Sequence, residues 1–306
     1  MKIRILGSAA GGGFPQWNCN CRNCRGVRDA SVRAIPRTQS SIAVCGRDEQ
    51  RWALVNASPD ILQQLRANPS LQPARALRDT AIAGIVLLDG QVDHVTGLLM
   101  LREASTPWRL WCTDAVRDEL QNELPLLGVL SHYCGVEPRR INAQRQPFTM
   151  DEVADVEWRA LSLQSKPPPY SRDRTQPRPG SNVALTIRDR HSNASVFYAP
   201  GIGAIDASMW EEMQRAALVL IDGTCWTDDE LPRLGISQRT ARDMGHLAIH
   251  GDGGMLDWLD RLPATTRKVL VHINNTNPIL DEDSPERALL SAHGVVVAED
   301  GMEWVL

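Results

Sequence analysis

The chain has 306 residues, 42% hydrophobic and 23% charged, with a formal net charge of −4. That length allows one or two domains with a large core, and the composition is that of an ordered globular protein. The mild acidity argues against a nucleic-acid or anionic-membrane partner, which would show as a basic surplus.

The segment Met1–Gly7 is too short and too charged for the apolar core of a signal peptide. No run approaches the roughly 20 apolar residues of a membrane span. Seven cysteines, three of them between positions 19 and 24, do not read as a secreted disulfide framework. The expected location is therefore the cytoplasm.

Ile3–Leu6 reads as a first strand that runs into the glycine-rich stretch Gly7–Gly13. Next comes Cys19-Asn20-Cys21-Arg22-Asn23-Cys24, a CxCxxC motif. Three thiolates this close suit a tetrahedral structural zinc with a fourth ligand from elsewhere. A disulfide closed over one or two residues would be strained. His246, His132 and Asn275 all stay open as the fourth ligand. Cys45, Cys112, Cys134 and Cys225 lie in or beside apolar stretches and read as core.

Gln39–Val44 and Trp52–Val55 flank the polar turn Arg47-Asp48-Glu49, the pattern of a hairpin. Ser58-Pro59-Asp60 has the residues of a helix start. Ala83–Leu88, Ala216–Ile221 and Lys268–Ile273 are short apolar runs, as expected of strands buried on both faces. Helical patterns lie at His94–Arg102 and Leu247–Leu262. Strands interspersed with helices favour a layered α/β protein. No repeat or linker divides the chain, so one domain over residues 1–306 is expected.

Each of the three buried strands ends in residues suited to a metal. The first runs into Asp89-Gly90-Gln91-Val92-Asp93-His94, the second into Asp222 and the third into His272. An acidic residue or histidine in an apolar run must be paired or ligated, because burying it alone costs several kcal/mol. Convergence of Asp93, His94, Asp222 and His272 on one divalent cation follows.

Ser165–Gly180 stands apart. Its prolines exclude helix and interior strand, and loops this long are usually functional or disordered. Lys166, Arg172, Arg174 and Arg178 face only Asp173 in charge, so the loop reads as a semi-rigid lid for an anionic ligand, with Lys166 and Arg172 as its contacts.

Around Asp93-His94 the chain resembles the HxHxDH signature of the metallo-β-lactamase superfamily. The resemblance implies an α/β fold, a four-layered αββα sandwich with up to two metals at one edge. It makes Asp93, His94 and His272 second-site ligands and Asp222 the usual bridging carboxylate. Asp89 and Gln91 stand where the first two histidines of the signature would be, and no histidine lies near Ser165 to complete a first site. Two-metal hydrolysis is thereby put in doubt.

Longer stretches resemble the PQQ (pyrroloquinoline quinone) synthesis protein B family: Gly11–Cys21, Val55–Ile61, Phe197–Gly201, Asp243–Leu247 and His272–Asp283. That family also carries Asp89 and Gln91. The resemblance implies an Fe(II)- and O2-dependent hydroxylation of the tyrosine-derived ring of the cross-linked Glu–Tyr precursor of PQQ. Zn²⁺ or Mn²⁺ would fit the same ligands. His246, in a Gly-His pair at a predicted helix start, would transfer a proton or bind substrate. Asp89 and Gln91 would bind substrate or metal-bound water. Two other classes remain open: a single-metal hydrolase, and a carrier that holds PQQ or its precursor and assists export. A homodimer is a further expectation, from protrusion of the CxCxxC segment.

Overall fold

The computed structural model describes residues 1–306, whose strands form two mixed seven-stranded sheets. In the first sheet are β1 (Lys2–Gly7), β2 (Ser41–Cys45), β3 (Trp52–Val55), β4 (Ile82–Val86), β5 (Trp108–Cys112) and β6 (Val136–Arg140). The second has β7 (Gln144–Thr149), β8 (Val156–Ser162), β9 (Val183–Asp189), β10 (Ser195–Ala199), β11 (Leu218–Asp222), β12 (Arg267–Val271) and β13 (Val295–Val297). The last strand, β14 (Glu303–Val305), returns to pair with β1. The order is β14-β1-β2-β3-β4-β5-β6 in one sheet and β13-β12-β11-β10-β9-β8-β7 in the other. Strands β3 to β6 run parallel, as do β10 to β13.

The apolar runs follow from burial on both faces. In β2, Ile42 and Val44 enter the core between the sheets, while Ala43 and Cys45 enter the core under the outer helices. In β11, Leu218 and Leu220 face inward and Val219 and Ile221 outward. Helices Ile61–Ala67, Gly97–Met100 and Asp114–Asn122 cover the first sheet. Helices Ala207–Arg215, Met255–Asp260 and Pro285–Ala292 cover the second. The layers are thus α, β, β and α, the expected sandwich. Each fully buried Leu, Ile or Val stabilises this arrangement by about 1.5–3 kcal/mol. No helix is long and apolar enough to cross a membrane.

Three predicted helices begin or end elsewhere. The helix expected from Ser58 starts at Ile61, because Asp60 Oδ2 accepts from the backbone and side-chain amides of Gln39 instead of capping. His94–Arg102 is two short helices, Val92–Val95 and Gly97–Met100, so His94 lies inside a helix rather than at its start. Of Leu247–Leu262 only Met255–Asp260 is helical. Leu247, Ile249 and His250 donate backbone hydrogen bonds to Ile202, Cys225 and Trp226, and these tertiary partners replace the helical ones.

Gly97 sits where the Val92–Met100 segment crosses the end of β3. A Cβ there would lie 2.1 Å from Ser58 O and 2.7 Å from Ala57 O, both backbone atoms. Gly97→Ala is expected to destabilise the fold by roughly 1–3 kcal/mol or more and to weaken metal binding by tilting Asp93 and His94. Thermal melts with a metal titration check both effects; wild-type values in each would refute the tight crossing.

Candidate metal centre

The candidate ligands meet because parallel strands from both sheets end at one edge. Beyond β4, Leu87–Gln91 turns into the Val92–Val95 helix and presents Asp93 and His94. Beyond β12, His272 adopts φ +56°, a left-handed conformation that costs a non-glycine residue energy and is held by its surroundings. The backbone N–H groups of Gly223 and Ile273 clamp it by donating to Val271 O and Ser8 O.

Ligand atoms of Asp93, His94 and His272 lie within 4.8 Å of one another. Asp93 Oδ2 is 3.4 Å from His272 Nε2 and 3.7 Å from His94 Nε2. The other ring nitrogens are occupied: His94 Nδ1 is 2.8 Å from Asp89 Oδ1, and His272 Nδ1 is 2.8 Å from Thr224 Oγ1. Such outer partners fix tautomer and ring direction, which points both Nε2 atoms inward. His94 Nε2 is buried with no hydrogen-bond partner. An unpaired buried nitrogen facing a carboxylate and a second imidazole fits a divalent cation of the two-His-one-carboxylate type.

The electrostatics point the same way. Burial opposes charge on Asp93, yet His94 and His272 outweigh it and hold the carboxyl well below the usual range. Burial likewise pushes His94 down, but Asp89 and Asp93 raise it to about 9. Two carboxylates beside the ring thus make the His94 pocket favourable to positive charge.

Asp222, the fourth expected ligand, stands one step further back in a second cluster with His246 and His272. Its Oδ2 accepts from Ile202 N and lies 2.6 Å from His246 Nδ1, while Oδ1 accepts from Thr224 N and Thr224 Oγ1. Ligand atoms of Asp222, His246 and His272 also cluster within 4.8 Å of one another, and both Asp222 oxygens meet protein partners there. It reaches the centre through His246, which it raises above the ordinary imidazole value against the opposing effect of burial. His246 follows the helix Ala241–Met244 and its left-handed cap Gly245, instead of starting a helix.

Asp89 and Gln91 each have a protein partner at the cavity beside the centre. Asp89 orients His94 and accepts from Gln91 N, while it and Gln91 still line the cavity where substrate or water is expected. Gln91 Nε2 donates to Lys166 O and ties the metal edge to the Ser165–Gly180 loop. The cavity, of about 290 Å³, opens between them, bordered by Asp93, His246, Lys166, Arg174 and Arg239.

Arg172, expected to contact an anionic ligand, is turned away from the cavity and bound to Glu123. Arg178 pairs with Asp118 and Asp173. These contacts fasten the loop to the Asp114–Asn122 helix and the residue after it. Between them lies Glu119, 1% exposed, with no hydrogen bond to either carboxyl oxygen. Burial, reinforced by Asp89, raises it from the usual 4.5 to about 7. The protonated form is favoured in the fold, so this contribution to stability is present below pH 4.5 and lost as pH rises through 7. Glu119→Gln, which cannot ionise, is expected to flatten the melting-temperature profile across that window and to raise the melting temperature at pH 8. An unchanged slope would contradict it.

The Sγ atoms of Cys19, Cys21 and Cys24 also lie within 4.8 Å of one another. Of the three candidate fourth ligands, Asn275 is the one beside them, its Nδ2 3.0 Å from Cys19 Sγ and 3.3 Å from Cys24 Sγ. His246 belongs to the other centre, and His132 is exposed at the far end of the Leu126–Leu130 helix. Cys45, Cys112 and Cys225 are buried as expected, and Cys134 is half-buried.

Coenzyme PQQ synthesis protein B of Azoarcus sp. (strain BH72) is 62% identical over 302 residues, which cover 99% of each chain. The chain belongs to the coenzyme PQQ synthesis protein B family. Membership places it in PQQ synthesis. The Cupriavidus taiwanensis protein of this family is 59% identical over 99% of both chains. A solved structure of the family, Zn(2+)-bound PqqB from Methylobacterium extorquens, aligns over 100% of both chains with a TM-score of 0.90 and 36% identity. Residues 51–273 match the beta-lactamase superfamily domain. A diphosphatase of the PhnP family, 16% identical with a TM-score of 0.68 over 99% of this chain and 96% of its own, shares the fold.

For this member of the PQQ synthesis protein B family, sequence reasoning missed Thr224, Glu119 and Arg239. Thr224 followed Asp222 by two positions and could have been noticed as a hydroxyl beside a buried carboxylate. Glu119 and Arg239 carry no local signal, since only the tertiary fold brings them to the loop and the cavity.

Proposed function

We propose that the protein is a mononuclear metal enzyme of PQQ synthesis that hydroxylates the tyrosine-derived ring of the cross-linked Glu–Tyr precursor, with O2 as oxidant and an external two-electron donor that takes the second oxygen atom to water at each hydroxylation. The reading rests on one observation: His94 Nε2, buried and unpartnered, faces Asp93 and His272 with no further histidine at Asp89, Gln91 or Ser165 to hold a second metal. Asp93, His94 and His272 would hold Fe(II), which supplies one-electron chemistry toward O2 and leaves coordination positions free. The absence of sulfur donors suits this choice, and Zn²⁺ would occupy the same donors without redox chemistry.

The chain's own groups do the rest. Pro169 and Met244 border the cavity and give an aromatic ring an apolar wall. Asp222 holds His246 by Nδ1, which leaves Nε2 as the nitrogen that receives or returns a proton of a ring hydroxyl. The Asp222 carboxylate stabilises the charged imidazole, so this proton is held at His246 and not lost to solvent. Thr224 bridges His246 and His272 at 3.1 and 2.8 Å and keeps the proton-handling ring beside the metal-binding one.

The test is a turnover of the Fe(II)-loaded protein and a small-molecule reductant under isotopically labelled oxygen gas, with product analysed by mass spectrometry. Label from the gas in the ring supports the hydroxylase. Label arriving only from solvent water would overturn it in favour of a hydrolase, and unmodified ligand recovered intact would overturn it in favour of a carrier.

A further inference from the structure

The Ser165–Gly180 loop carries four cations, and the fold sorts them. Arg172 and Arg178 turn outward and meet carboxylates. Lys166 and Arg174 border the cavity and meet none. Lys166 Nζ donates instead to the backbone carbonyl of Asp243 at 2.7 Å, and Arg174 to that of Pro167.

Arg239 also borders the cavity, exposed and without an ion pair, on the residue before Thr240, the N-cap of the Ala241–Met244 helix. Burial, and the field of Arg239, hold Arg174 below the usual guanidinium range. Two guanidinium groups facing one cavity repel each other unless an anion sits between them. The nearby carboxylates do not fill that place. Asp243 accepts from Thr240 N in the capping box and feels Lys166 and Arg239 only at a distance, without a salt bridge, while Asp89 orients His94 and Asp93 belongs to the metal centre. Arginine is suited to a carboxylate because its planar fork can bind both oxygens.

We infer that Arg174 and Arg239 form a carboxylate-binding subsite that recognises an acidic group of the substrate remote from the reacting ring. Lys166 adds a third positive charge to the same wall. This deepens the hydroxylase reading and rests on it for the reacting ring, but recognition by the two arginines needs no turnover. A rigid, polycarboxylate aromatic compound is the class that fits, with one end at the metal and an acid group held at the mouth. Arg172, the more obvious candidate by charge alone, has no part in it.

The experiment is calorimetric titration of the Zn²⁺-loaded protein with PQQ, a tricarboxylate, at two salt concentrations. Arg174→Gln and Arg239→Gln are each expected to weaken binding roughly tenfold or more, the range of a lost charge-assisted hydrogen bond. The double variant should lose both effects and most of the salt dependence, whereas Arg172→Gln should bind like wild type. Melting curves at wild-type temperature would show that the variants are folded. Wild-type affinity in the double variant, or no binding of PQQ by the wild type, would overturn the subsite. Weakened binding in a protein that never incorporates oxygen would support the subsite while removing the hydroxylase.

Discussion

Asp93→Ala is expected to abolish metal binding at the centre, whereas Asp222→Asn is expected to keep the metal and lose turnover. Asp93 supplies the one carboxylate among three clustered donors and lies 3.4 and 3.7 Å from the Nε2 atoms of His272 and His94. Removing one donor of three forfeits several kcal/mol, an affinity loss of roughly a thousandfold. It also leaves two imidazoles facing each other without a neutralising charge. Asp222 has the greater burial, at 0% exposure, but every lone pair it presents already meets a donor from Ile202, Thr224 or His246. Asn in its place keeps the volume and cannot stabilise a charged His246. Loss of about 10–100-fold in turnover is expected, the usual cost of removing an orienting partner. Metal content by elemental analysis and turnover, measured on both variants, separate the roles. Equal metal loss in the two would show that Asp222 is a ligand after all.

The second large effect is expected at the cysteine cluster of the N-terminal segment. Cys24→Ala should strip zinc from the CxCxxC segment, destabilise the protein by roughly 3–5 kcal/mol and weaken the metal centre about tenfold. Cys24 is fully buried, and its sulfur shares Asn275 with Cys19 and Cys21. Burial, with Cys19 and Cys24 beside it, raises the Cys21 thiol to about 12. The Cys21 thiol thus keeps its proton unless a cation takes its place, whereas at Cys19 burial is outweighed by hydrogen bonds from Cys21, Cys24 and Asn275, which lower it. Asn275 lies three residues after His272, and Asn277 Nδ2 donates to Gly223 O and Thr224 O, so the segment joins the two centres. Zinc analysis, melting temperature and active-site metal affinity report the three effects separately. Wild-type protein stripped of zinc that keeps its full melting temperature would contradict the structural-zinc account.

How much of this was legible in the chain depended on whether the signal was local. β4, β11 and β12 announced themselves because burial on both faces demands an unbroken apolar run. Asp93, His94, Asp222 and His272 stood out because a polar residue that closes such a run needs a partner. Which partner it has is not local. Asp222 looks like a ligand in sequence, but its direction is set by Thr224 and His246, the latter 24 positions away.

The loop shows the same limit. A proline-rich segment has no side-chain period, so Arg172 and Arg174 are equivalent on paper. Glu123, on another element, draws Arg172 outward and leaves Arg174 facing the cavity. The Leu247–Leu262 pattern misled for a related reason: its apolar spacing serves tertiary hydrogen bonds as well as it would serve a helix.

Oxygen consumption tests the central claim most directly. Protein prepared anaerobically, loaded with Fe(II) and given the cross-linked Glu–Tyr precursor with a small-molecule reductant should take up O2 in proportion to hydroxylated product, with no product-coupled uptake in Asp93→Ala. Turnover without O2, or product-coupled O2 uptake that persists unchanged in Asp93→Ala, would contradict an iron-dependent hydroxylase at this centre.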